Sequence, residues 1–134
     1  MTNVLNKIIE DKKDSLKSIK KTNSLDSIEN TIKSLNNFLN FKEVIANNKR
    51  ASIISEIKKA SPSAGELVKD FNHLNIAKMY VDNGATCLSV LTEEKHFLGK
   101  LDYIRDIKNK FTIHVLEKDF FIDTYQIALS KSYG

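Results

Sequence analysis

The sequence predicts an α/β fold built on a parallel sheet, and three observations predict it. Short apolar, β-branched runs stand at ASIISEI (51–57), ATCLSVLT (85–92) and FTIHVLEK (111–118). Each run is followed by a stretch of helical periodicity, and strand–helix repeated three times argues a parallel sheet with crossover helices. The strand runs are apolar almost throughout, the pattern of strands covered on both faces.

Residues 1–50 read as helical. Leu5, Ile8, Ile9, Leu16 and Ile19 recur at the three-to-four spacing of one helix face. KKTNS breaks that pattern, and Ser24 is placed to cap the next helix. Leu25, Ile28, Ile32, Leu35 and Leu39 form the second stripe, with Phe41, Val44 and Ile45 in a shorter third piece. No Gly or Pro interrupts this stretch. From Ala51 the strands and helices alternate. LNIAKMYVDNG shows a helix face in Leu74, Ile76, Ala77, Tyr80 and Val81, with Gly84 just past its end. GKLDYIRDIKNK carries Leu101, Ile104 and Ile107 on one stripe, and DTYQIALSKSYG begins a third helix. Two architectures fit, an open doubly wound sheet or a (β/α)8 TIM barrel. The first turn after a strand, KKASPSAGE, is not G-x-G-x-x-G, which weighs against a dinucleotide fold.

With 134 residues, 41% apolar and 28% charged, the chain is long enough for one ordinary globular domain. Its apolar runs fall far short of the about 20 residues that cross a bilayer, so no membrane is expected as a partner. The N-terminus MTNVLNKIIEDKKD carries acids early and does not read as a signal peptide. The lone Cys87 permits no intrachain disulfide; it fits a cytoplasmic protein and reads as a small buried residue rather than a nucleophile. The net charge of +4 belongs to residues 1–50, since residues 51–134 balance 11 basic against 11 acidic residues. The basic residues alternate with acids and lack interleaved aromatics, so a solvated helix face is expected, not a nucleic-acid surface.

Parallel α/β folds place their chemistry at the carboxyl ends of the strands. The first strand ends in Glu56 and Lys58, followed by Ser61 and Ser63 around Pro62. The second ends in Thr92, Glu93, Glu94 and Lys95, then His96 and Phe97; the third ends in Glu117, Lys118, Asp119 and Phe120. Glu56 and Lys58 are two apart and so share one face. A carboxylate and lysines at one mouth suit an anionic substrate and proton transfer to a carbonyl, and the serine turn suits a phosphate. Each residue alone would read as a solvated charge; three strand ends repeating the pattern read as a site. His73, His96 and His114 have no metal-ligand spacing, with His73 expected at the solvent and His114 packed inside its strand.

SEIKKASPSAG, then CLSVLTEEKHFLGKLDYIRDIK, then VLEKDFFIDTYQI closely resemble the indole-3-glycerol phosphate synthase family, over about Ser52–Gly134. Residues 1–50 resemble that family's N-terminal helical extension, which packs over the barrel mouth. The resemblance implies a (β/α)8 barrel of tryptophan biosynthesis, a carboxy-lyase that needs no cofactor or metal. Its small phosphorylated substrate, 1-(2-carboxyphenylamino)-1-deoxyribulose 5-phosphate, is closed to indole-3-glycerol phosphate with release of CO2 and water. It further implies that Lys118 is the general acid and that Lys58 contacts the substrate carboxylate. Glu56 then balances these lysines, Ser61 with Ser63 serves the phosphate, and Phe97 with Phe120 lines the pocket for the anthranilate ring. His114 stands where the family often has proline. Glu117 stands where it often has a basic or neutral residue, and strand alternation turns Glu117 away from the Lys118 side.

A (β/α)8 barrel needs about 250 residues. The expectation is therefore a partial TIM barrel: residues 1–50 as the extension, 51–134 as the first three βα units, and the whole as part of a longer chain, open to fusion or association with neighbouring tryptophan-pathway enzymes and inactive by itself. Three alternatives stay open: another phosphate-binding barrel of the same pathway, such as phosphoribosylanthranilate isomerase; a basic helical module that binds nucleic acid or protein, with a barrel remnant behind it; and a truncated product without function.

Overall fold

A computed structural model describes residues 3–134. These residues form two units: Asn37–Asp119, and the residues up to Asn36 together with Phe120–Gly134.

The unit Asn37–Asp119 is built on a three-stranded parallel sheet. Strand β1 is Ile54–Ile57. A small antiparallel pair follows, β2 (Ala60–Ser61) with β3 (Gly65–Glu66). β4 (Cys87–Leu91) and β5 (His114–Lys118) complete the main sheet, whose order is β1-β4-β5. α3 (Phe41–Ala46) precedes β1, α4 (His73–Asp82) joins β3 to β4, and α5 (Asp102–Lys110) joins β4 to β5. The parallel sheet and crossover helices expected from the sequence are thus present. The sheet is open, with β1 and β5 at its edges.

The register sorts the side chains onto two faces. Ile57 pairs with Val90 and Val90 with Glu117, on the same face as Leu88. Ile57, Leu88 and Val90 are fully buried with Ala77 of α4 and Ile104 and Ile107 of α5, and this is the core. The opposite face carries Ile54, Glu56, Cys87, Ser89, Leu91, His114, Leu116 and Lys118. Here the expectation of strands buried on both sides fails at the edges: Ile54 is 46% and Leu116 40% exposed, whereas central β4 is buried throughout. An edge strand has a neighbour on one side only, so a large residue on an uncovered face stays wet.

α4 ends where the sequence expects, just before Gly84, and its start is capped by a residue the sequence analysis does not single out. Asn72 accepts the N–H of Asn75 at the start of α4, and Gly84 follows its end at φ +81°, a conformation suited to glycine. His73 departs from expectation. It is half-buried, stacks on Tyr103 at 4.3 Å and meets Asp106 Oδ2 at 2.9 Å. As the first residue of α4, its ring is captured by α5 instead of by water.

In the other unit, α1 (Val4–Thr22) buries Ile8 and Leu16, and α2 (Leu25–Ser34) packs with α6 (Tyr125–Ser132). Ser24 caps α2 by accepting the N–H of Ser27, as the sequence predicts. The α2 stripe stops short of Leu39: Leu35 is extended, and Ser34 turns its hydroxyl onto the Thr31 carbonyl. Asn40 then caps α3 afresh. Lys20 ties α1 to Asp123 at 2.6 Å, and the Tyr125 hydroxyl donates to the Asn23 carbonyl at 2.8 Å.

Candidate active site

Glu56 is the hub of the carboxyl ends of the strands. Its Oε1 lies 2.8 Å from Lys58 Nζ, and its Oε2 pairs with Lys118 Nζ. One carboxylate therefore bridges two ammonium groups, one from β1's own continuation and one from β5 on the far side of β4. Alternation puts Glu56 and Lys58 on one face, and the Leu91–Lys118 register puts Lys118 on the same face. Tyr80 of α4 fixes this point from behind, donating its hydroxyl to the Glu56 carbonyl at 3.1 Å. Burial pushes the Glu56 carboxyl up, but hydrogen bonds from Lys118 and Lys58 outweigh it, so the group sits below its ordinary value.

The serine turn forms the β2–β3 hairpin directly after Lys58. Ser61 Oγ accepts the N–H of Ala64 at 3.2 Å and lies 3.5 Å from Ser63 Oγ. Ser61 is half-buried, Ser63 is exposed, and Gly65 takes a φ of +67° to reverse the chain. The sequence predicts only a turn here; the S-P-S-A-G run, with Pro in the turn and Gly beyond it, is the signal of the hairpin.

Phe97 comes from the loop after β4. Glu93 organises that loop from within: it is 3% exposed, and its carboxylate accepts the N–H groups of Lys95 (3.1 Å), His96 (2.7 Å) and Phe97 (3.0 Å). Leu98 adopts a φ of +52°, and the Gly99 N–H returns to the Glu93 carbonyl at 2.8 Å. The Phe97 carbonyl accepts the N–H of Ala60 at 3.2 Å, which joins this loop to the serine hairpin. Nothing in the sequence separates Glu93 from its exposed neighbour Glu94; only the fold distinguishes them.

Thr92 stands one residue past β4 and is buried. Its hydroxyl lies 3.0 Å from Glu117 Oε1 and 2.9 Å from Asp119 Oδ2, and its N–H donates to the Lys118 carbonyl at 3.2 Å. Glu117 pairs with Val90 on the core face, away from Lys118, as strand alternation predicted. Phe120 belongs to the other unit, where its carbonyl accepts from Gln126 Nε2 at 2.9 Å.

The structure thus brings Glu56, Lys58 and Lys118 together and links the hairpin of Ser61 and Ser63 to the loop of Phe97. Cys87 is fully buried beneath them as an unpaired cysteine, and burial pushes its thiol up, away from a nucleophile's thiolate. Among the described residues no three His, Cys, Asp or Glu side chains converge as metal ligands, and no helix is long and apolar enough to cross a membrane.

The family described as "Indole-3-glycerol phosphate synthase" matches residues 5–134. A protein of that name from Alkaliphilus metalliredigens is 44% identical over 131 residues, 98% of this chain and 50% of the relative. One from Clostridium acetobutylicum is 43% identical over 132 residues, again 98% of this chain and 50% of the relative. One from Legionella pneumophila is 51% identical over 94 residues, 70% of this chain and 36% of the relative. The chain spans about half the length of these first two relatives. With its strand ends, hairpin and loop inside a match that runs almost from end to end, this chain belongs to the indole-3-glycerol phosphate synthase family.

Proposed function

We propose that this chain supplies the first three βα units, with their N-terminal helices, of a (β/α)8-barrel synthase. The enzyme closes 1-(2-carboxyphenylamino)-1-deoxyribulose 5-phosphate to indole-3-glycerol phosphate with loss of CO2 and water. The observation that carries the reading is the Glu56 carboxylate held between Lys58 and Lys118 at the carboxyl ends of two strands.

Lys118 is the acid: its ammonium donates a proton to the substrate carbonyl as the new carbon–carbon bond forms, so no free alkoxide has to develop. Glu56 keeps that ammonium aimed along the inner face before substrate arrives. Lys58 receives the substrate carboxylate, whose charge is lost when CO2 departs. Ser61 and Ser63 offer hydroxyls to the phosphate, and Phe97 supplies aromatic surface for the anthranilate ring. The remaining strands of the barrel come from sequence outside these residues, and the setting is the cytoplasm.

The test completes residues 1–134 with the C-terminal half of the Alkaliphilus metalliredigens relative and follows indole formation by fluorescence. Lys118→Ala is expected to lower kcat by about 10²-fold or more, the usual contribution of a general acid. A variant retaining a third of parental kcat would remove Lys118 from the chemistry.

A further inference from the structure

Thr92 is buried between groups that the proposed chemistry does not use. It touches the last two residues of β5 and the residue just after them: the Glu117 carboxylate at 3.0 Å, the Lys118 carbonyl at 3.2 Å and the Asp119 carboxylate at 2.9 Å. We propose that Thr92 is a positioning residue for Lys118, holding the two carboxylates that flank the lysine in sequence on the back of the sheet so that the ammonium meets Glu56.

The physical case starts from alternation. Glu117 leaves β5 on the face opposite Lys118, and Asp119 follows directly after the strand, so each is only one residue from the lysine. A freed carboxylate on either side of Lys118 is within reach of a four-carbon ammonium arm and competes with Glu56 for it. Thr92 has one hydroxyl proton, shared between the two acids, and its own N–H pins the Lys118 backbone between them. A single side chain at the end of the central strand therefore decides which carboxylate the lysine faces. Asp119 and Glu117 also meet other groups, so Thr92 orients them and is not their sole anchor.

This inference rests on Lys118 being the acid, and the experiment separates the two. In the completed protein described above, Thr92→Val keeps the shape and removes the hydroxyl, whereas Thr92→Ser keeps the hydroxyl and removes the methyl. T92V is expected to lose kcat by about tenfold or more with KM changed by less than about twofold, the cost of a misaimed group. T92S is expected to keep at least half of parental kcat. Equal losses in both variants would make Thr92 a packing residue, and an unchanged T92V would overturn the proposal. If the completed parent protein does not turn over, the synthase reading fails first. Thr92 is then read by competitive acetylation of lysines under mass spectrometry. In T92V, labelling of Lys118 relative to surface Lys78 is expected to fall about twofold or more, because added carboxylates favour the unreactive ammonium. An unchanged ratio sinks the proposal without reference to turnover.

Discussion

Glu56 illustrates how one residue's setting decides its chemistry. In sequence it is a charge at a strand end; in the fold it is a carboxylate with one oxygen on each of two lysines. Its carboxyl is held below the ordinary 4.5 because two ammonium hydrogen bonds exceed the opposing effect of burial. A depressed carboxyl contributes stability above its unfolded value, and that contribution is lost as pH falls through the folded value. In the completed protein, the melting temperature of the parent minus that of Glu56→Gln is therefore expected to be largest near neutrality and to shrink below about pH 4.5. Thermal melts between pH 7 and pH 3 check this; a difference that is flat across the range would mean the lysines do not stabilise the charged form. The Glu56–Lys58 pairing was legible in sequence because alternation is a local rule. The partnership with Lys118, 62 residues away, was expected only from the family resemblance, and the β1-β4-β5 order is what produces it.

At the scale of elements, the loop after β4 is the most constrained piece. Gly99 sits so close to the strand it leaves that a Cβ there would lie 2.3 Å from the Leu91 carbonyl oxygen and 2.9 Å from the Thr92 carbonyl carbon. Both neighbours are backbone, at the end of the central strand and the residue just after it, and cannot swing aside. Gly99→Ala is expected to destabilise the completed protein by roughly 1–3 kcal/mol, the usual cost of overpacking, seen as a lower urea midpoint with unchanged slope. Full retention of the midpoint would mean the loop moves freely off β4. Helix caps and strand runs at this scale were readable, since Ser24 and Gly84 act on backbone groups within a few residues. The β2–β3 hairpin, the early stop of α2 and the capture of His73 by Tyr103 and Asp106 were not. The first two hang on competing local hydrogen bonds of nearly equal worth, and the third on a helix 30 residues further along.

For the whole molecule, the open sheet is the governing fact. β1 and β5 present edges, and Ile54 and Leu116 lie exposed on the same face as Glu56 and Lys118. Closing a barrel would cover that face and remove the edges. The 134 residues by themselves are accordingly expected to show no turnover and to self-associate, measured by the indole assay together with light scattering. A monodisperse monomer with measurable turnover would refute this and would mean that three strands suffice for the site.

The amino-acid sequence by itself determined the alternation of strands and helices, the strand ends at which the charges gather, the burial of Cys87 and the family. These follow from periodicity, from local backbone chemistry and from long motifs in order, and none requires a distant partner. Only the tertiary structure decided that Glu93 holds a loop from inside while Glu94 stays exposed, and that Thr92 stands between two acids. Those outcomes depend on strand order and register, which bring residues tens of positions apart within hydrogen-bond distance.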